Sequence, residues 1–115
     1  MSWDAALVTV VDGQDVALPG CDWNYTHNTN GMIAAVLREA GQEIRHWWDA
    51  LDGRPAAEGA RLLDAVLAGL VAAPERFRAM NPANGWGNYD QLVGLLRKMC
   101  DAARKWPSAV WRISG

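Results

Sequence analysis

Two stretches of this sequence hold most of the side chains that could bind or transform a ligand: Trp23-Asn24-Tyr25-Thr26-His27-Asn28-Thr29-Asn30 and Asn81-Pro82-Ala83-Asn84-Gly85-Trp86-Gly87-Asn88-Tyr89. Each reads as a loop running directly into the start of a helix. Backbone N–H groups without intrahelical partners and the positive end of the helix dipole gather at such starts, which therefore accept phosphates and carboxylates. Asn side chains can donate and accept hydrogen bonds, aromatic rings can stack on a base, and Gly85 and Gly87 allow a close backbone approach. Local structure alone explains part of the pattern, because Asn and Thr are ordinary helix caps and N-G-W-G is an ordinary turn. Two such loops with Tyr, His and Trp inside them exceed what capping requires. The expected ligand-binding set is Asn24, Tyr25, His27, Asn28, Asn84, Trp86 and Tyr89, converging on one pocket at helix starts near Gly31 and Asn88.

Reactive chemistry is less well provided for. His27 has the pKa class for acid–base work, with Asp22 or Asp90 as a partner carboxylate; the plainer role is a hydrogen bond to the loop backbone. The serines, Ser2, Ser108 and Ser114, lie outside any nucleophile-elbow context, and the sequence has no phosphate-loop or dinucleotide fingerprint. Two Cys and two His occur without C-x-x-C or H-x-x-x-H spacing, so neither a metal nor another cofactor is expected. Cys21 and Cys100 are expected to be free thiols, Cys100 on an apolar helix face. No catalytic residue is assigned.

The elements that must position these groups follow from apolar periodicity. Leu7–Val11 and Val16–Leu18 read as two short strands around Asp12-Gly13-Gln14-Asp15, ended by Pro19-Gly20, with residues 21–30 polar and irregular. Ile33, Val36, Leu37 and Ala40 mark a helix stopped by Gly41. Ile44, Trp47, Trp48 and Leu51 mark a second, shorter one with Trp47 and Trp48 on its packed face. Leu63, Val66, Leu67, Leu70 and Val71 mark a third helix over 56–73, and Pro74 opens a short fourth. Asn88, with Gln91 as capping-box partner, opens the last, whose stripe is Leu92, Leu95, Leu96, Met99, Cys100 and Ala103. Residues 109–114 alternate like a strand. The fold class is α+β: one domain over residues 1–115, in which a small antiparallel sheet, the N-terminal hairpin plus the C-terminal strand, packs against four or five helices. The expected core is Val36, Leu37, Leu63, Val66, Leu67, Leu70, Leu92, Leu95, Leu96 and Met99.

Composition narrows the classes of function. At 115 residues, half of them apolar and 21% charged, the chain is of globular type, and 11 basic against 13 acidic side chains argue against a general grip on nucleic acid or anionic lipid. The basic group Arg97, Lys98, Arg104, Lys105 and Arg112 reads as a solvated face. No apolar run is long enough for a membrane span, and Asp4 stands where a signal peptide carries Lys or Arg, so a cytoplasmic protein is expected. Seven tryptophans are more than a core of this size uses; two or three belong inside, and the rest are surface or binding groups.

The motifs N-Y-T-H-N (Asn24 to Asn28) and N-P-x-N-G-W-G-x-Y (Asn81 to Tyr89), with a short β start, P-E-x-F before the second motif, a helix ending near Cys and a final strand, resemble a family of small uncharacterised proteins met in phage, prophage and actinobacterial genomes. The resemblance covers the chain from about Val8 onward and implies a phage-type accessory protein in the host cytoplasm. The leading expectation is a non-catalytic binder of a small anionic, nucleotide-like ligand, sequestering a host immune signalling nucleotide by analogy with phage counter-defence. An interaction module that inhibits a host protein comes next, with self-association left open, and a small hydrolase or lyase using His27 comes third.

Overall fold

The structure, a computed structural model, describes residues 1–42 and 46–115. Strand β1 spans Ser2–Val11 and β2 spans Gln14–Thr26. After a 3₁₀ turn at His27–Thr29 come helix α1 (Asn30–Glu39), a 3₁₀ turn at Trp47–Ala50, α2 (Ala56–Ala72), α3 (Pro74–Arg78), α4 (Tyr89–Lys105) and strand β3 (Val110–Ser114). The sheet is antiparallel with order β2-β1-β3, so the C-terminal strand joins the hairpin as expected, and it does so on the first strand, a choice the pattern leaves open.

The hairpin is longer than its sequence suggests. Asp12 (φ 51°) and Gly13 (φ 75°) form a two-residue turn with both central residues left-handed, the geometry that matches strand twist, and pairing starts at once with Val11 opposite Gln14. Pro19-Gly20 does not end β2. The register jumps from Val8 opposite Ala17 to Ala6 opposite Asp22, so residues 18–21 stand against Leu7 alone. The bulge absorbs the proline, which has no N–H to give, and Gly20 at φ 68°. Pairing then resumes through residues 22–26, which the sequence reading treats as irregular.

One face of the sheet carries the core: Trp3, Ala5, Leu7, Cys21, Trp111 and Ile113 are buried there, with Trp23 and Tyr25 half-buried. Helices supply the other side through Met32, Ile33, Leu37, Leu63, Val66, Leu70, Leu92, Leu96 and Met99, all buried. Val36, Leu67 and Leu95 pack half-buried against this core, whereas Val71 is exposed. Three tryptophans, Trp3, Trp47 and Trp111, are core residues, and Trp3 meets Trp47 edge-to-face at 5.0 Å. The expected second helix is a 3₁₀ turn burying Trp47, followed by buried Leu51; Ile44 lies outside the described residues.

Local signals explain the element ends. Gly41 (φ 78°) donates to the Arg38 carbonyl and Gln42 to that of Leu37, the paired bonds of a Schellman stop. Pro74 occupies the first turn of α3. Among the described residues no helix is long and apolar enough to cross a membrane.

Sheet and helices are locked at Gly59. The Trp111 indole lies across α2, donating to the Ala56 carbonyl at 3.2 Å, and a β-carbon on Gly59 would overlap that ring. Elsewhere in a helix, Gly→Ala gains about 1 kcal/mol of propensity; here overpacking of about 1–3 kcal/mol opposes it, together with about 1 kcal/mol for the strained indole bond. Gly59→Ala is therefore expected to lower stability in urea unfolding, and a stabilised variant would show that Trp111 does not pack there.

Candidate functional site

The two polar stretches, more than fifty residues apart in sequence, meet in space. Asn28 Nδ2 donates to Asn84 Oδ1 at 3.4 Å and to the Trp86 carbonyl at 3.3 Å. Gly87 (φ 86°) lies so close to β2 that a β-carbon would stand 2.6 Å from Thr26 Cγ2 and 3.0 Å from the Tyr25 hydroxyl.

Tyr25 is the main joint. Asn88 caps α4, its Oδ1 accepting from the Gln91 N–H at 2.9 Å. The return bond of a capping box would run from the Asn88 N–H to Gln91. Instead, the Asn88 N–H donates to the Tyr25 hydroxyl at 3.1 Å, and that hydroxyl can donate to Gln91 Oε1 at 3.1 Å. A phenol from β2 is thus inserted into the cap of a helix sixty-odd residues away. Tyr25→Phe removes both bonds and leaves the Asn88 N–H without this acceptor, at an expected cost of about 1–2 kcal/mol. Urea unfolding checks this; an unchanged midpoint would mean that water replaces the hydroxyl without loss.

The remaining amides are similarly engaged. Asn84 Oδ1 accepts from the Trp86 N–H at 2.9 Å, closing a side-chain turn, and Asn81 Oδ1 accepts from the Tyr89 N–H at 2.8 Å. Thr26 caps the 3₁₀ turn by accepting from the Asn28 N–H at 3.2 Å. Asn30 accepts from the Trp47 indole at 3.3 Å. Asn28 and Asn30, cap types by sequence, are thereby used otherwise; Thr29 stands at the N-cap position of α1, but its side chain is buried and makes no cap bond.

Of the seven expected site residues, Tyr25, Asn28, Asn84 and Trp86 belong to this joined surface, and His27 borders it through the chain. Asn24 does not. Alternation along β2 turns it to the outer face of the sheet, where its Nδ2 donates to Asp4 Oδ1 at 2.8 Å and it lines a separate cleft of about 460 Å³ with Asp22, Asp52 and Arg112. Tyr89 is a core residue, buried beside Phe77, with its hydroxyl on the Leu70 carbonyl at 2.8 Å.

His27 lies against Trp48, ring centroids 5.5 Å apart, and His46 stacks on the same indole at 4.7 Å with planes 5° apart. The sequence pattern puts Trp48 on a packed helix face and does not reveal this stack. His27 Nε2 is buried without a hydrogen-bond partner among the described residues. Neither carboxylate considered for it is joined to it. Asp22 lines the outer cleft, while Asp90 accepts from Arg78 at 3.0 and 3.3 Å, bonds that hold its carboxyl below the ordinary range. Both thiols are free and buried; burial above all, with Asp64 nearby, pushes Cys100 up to about 12, and burial raises Cys21 as well. Neither is an activated nucleophile.

The basic group is also divided. Arg104 pairs with Asp64 and Asp101 on the helices, whereas Arg112 reaches Asp15 on the sheet.

Trp86 is what remains. It is 71% exposed at the tip of a loop whose backbone and amides are tied inward. Met80, also exposed, reaches Gly31 near this surface. No family model matches the chain, and no curated protein or solved structure matches it.

Proposed function

We propose that this chain is a non-catalytic recognition protein, of the phage-type accessory kind, that grips a partner protein with the Asn84–Gly87 loop and uses Trp86 as the anchor. The observation that carries the reading is the combination of 71% exposure at Trp86 with a backbone held by Asn28 and Asn84. An exposed indole on a floppy loop loses entropy on binding; one already fixed loses little, and Trp is the residue type most enriched among binding hot spots. The partner face is expected to supply an apolar slot for the ring.

A nucleotide-like anion is the second reading. It is favoured by the His27–Trp48–His46 stack, which offers rings for a base and an imidazole nitrogen without a partner among the described residues. It ranks second because the amides that would read such a ligand are engaged with one another and with the loop backbone. Turnover by His27 ranks third, since neither Asp22 nor Asp90 is joined to it.

A photo-crosslinking side chain at a neighbouring position, Ala83, tests the first reading against host protein extracts, with Trp86→Ala as the matched control. A defined protein captured in proportion to the presence of Trp86 supports it. In parallel, the chain is incubated with cyclic nucleotides and ADP-ribose derivatives. Intact ligand recovered after denaturation moves the second reading to first place, and altered ligand moves the third.

A further inference from the structure

The sheet is longer than the helical layer that covers it. β3 begins at Val110, opposite Val8, so β1 and β2 run on past it as a two-stranded arm to the Asp12-Gly13 turn. Thr9 and Val16 face each other in that arm, and with Val11 they fall on the same side as buried Leu7, the side that meets helices within the body. Past Leu7 those helices give out. α4 ends at Lys105, and the chain turns through Trp106 and Pro107 before entering β3.

A groove of about 430 Å³ is left between the two, with Thr9 and Leu18 on the strand side and Lys105, Trp106, Pro107 and Ala109 on the other. That volume lies in the range of small-molecule sites. Trp106 is partly exposed beside it, and Val16 and Val11 continue its apolar wall outward along the arm, each about half exposed. The lining carries one formal charge, that of Lys105. Its ammonium lies 5.5 Å from the centre of the Trp106 ring, and no ion pair holds it among the described residues. Arg54, Arg76, Arg78, Arg104 and Arg112 each hold a carboxylate; Lys105 shares its lack of an ion pair among the described residues with Arg38, Arg61, Arg97 and Lys98, and of these it alone lines this groove.

We infer that this groove binds an apolar monocarboxylate, its head on Lys105 and its chain along Thr9, Val16 and Val11. Charge and shape both select that class. A neutral hydrocarbon would cover the ammonium without giving it a partner, and a polyanion would leave charge unmet beside the negative end of α4. On that face the arm carries the cross-strand pairs Thr9–Val16 and Val11–Gln14, a narrow strip with one apolar side chain in each pair, which suits an extended chain better than a broad ring system. The site is separate from the Trp86 surface and does not depend on its role.

Octanoate is the probe, titrated into isotope-labelled full-length protein and followed by amide chemical shifts, with octanol as the uncharged control. Shifts concentrated at Thr9, Leu18, Ser108 and Ala109 are expected. Both Lys105→Gln and the change to octanol should weaken binding about fivefold, the scale of one solvent-accessible ion pair. Affinity should also rise steadily from butanoate to octanoate as the chain extends along the arm. Equal binding of octanol and octanoate, or an unchanged Lys105→Gln, overturns the carboxylate assignment. Flat dependence on chain length overturns the track along the arm, and shifts that are absent or scattered over the surface overturn the groove itself.

Discussion

Gly87→Ala is expected to destabilise the protein by about 2–5 kcal/mol, a large effect for a single methyl group outside the core. Two costs combine. A left-handed backbone, here at φ 86°, costs a residue with a β-carbon about 1–2 kcal/mol. The added carbon also comes within 2.6 Å of Thr26 Cγ2 and 3.0 Å of the Tyr25 hydroxyl, an overlap of the kind that costs about 1–3 kcal/mol. Neither neighbour yields easily, because Thr26 is held by the Asn28 N–H and Tyr25 by the cap of α4. Gly85→Ala is the control. Its φ of 74° brings the same backbone strain, but nothing lies within 4 Å of an added β-carbon, so about 1–2 kcal/mol is expected there. The difference between the two variants in urea unfolding measures how firmly the loops press together. Equal losses would show that the second loop does not sit on β2 in solution, and the shared surface would go with it.

Why β2 escapes a first reading while α4 does not lies in two conflicting local signals. Cys21, Trp23 and Tyr25 alternate with Asp22, Asn24 and Thr26, which is the period of a strand with one face inward. Pro19-Gly20 just before them is the usual sign of a strand's end. Both signals are valid, because the bulge at residues 18–21 takes up the interruption and the strand continues. Once that alternation is recognised, Asn24 must face away from Tyr25, so its absence from the joined surface follows from spacing alone. Tyr89 is legible in the same way: with Leu92, Val93 and Leu96 it stands at i, i+3, i+4 and i+7 on the buried stripe of α4. Less accessible are the long-range choices. Asn88 and Gln91 announce a cap, but nothing in their types says that a tyrosine from β2 will stand between them. Residue types show that the two loops are unusually polar and aromatic; only tertiary geometry decides how much of that polarity is used up within the protein.

Trp86→Ala is expected to weaken partner binding by about 2 kcal/mol or more, roughly thirtyfold, while changing folding stability by no more than about 0.5 kcal/mol. The two halves of this expectation rest on the same observation. At 71% exposure the indole buries too little surface to contribute much to the fold, and its backbone bonds to Asn28 and Asn84 survive truncation of the side chain. On a partner, the same ring would pass from water into an apolar slot without first having to be ordered. Asn84→Ala separates presentation from contact. It keeps the ring but removes the acceptor of both the Trp86 N–H and Asn28 Nδ2, and should weaken binding several-fold by letting the loop wander. Calorimetric titration of the captured partner together with thermal unfolding tests the pair. A large stability loss in Trp86→Ala would mean that the ring packs on the protein itself. Unchanged affinity in Trp86→Ala, with the fold intact, would move the contact surface elsewhere and leave this loop as a structural clasp between β2 and α4.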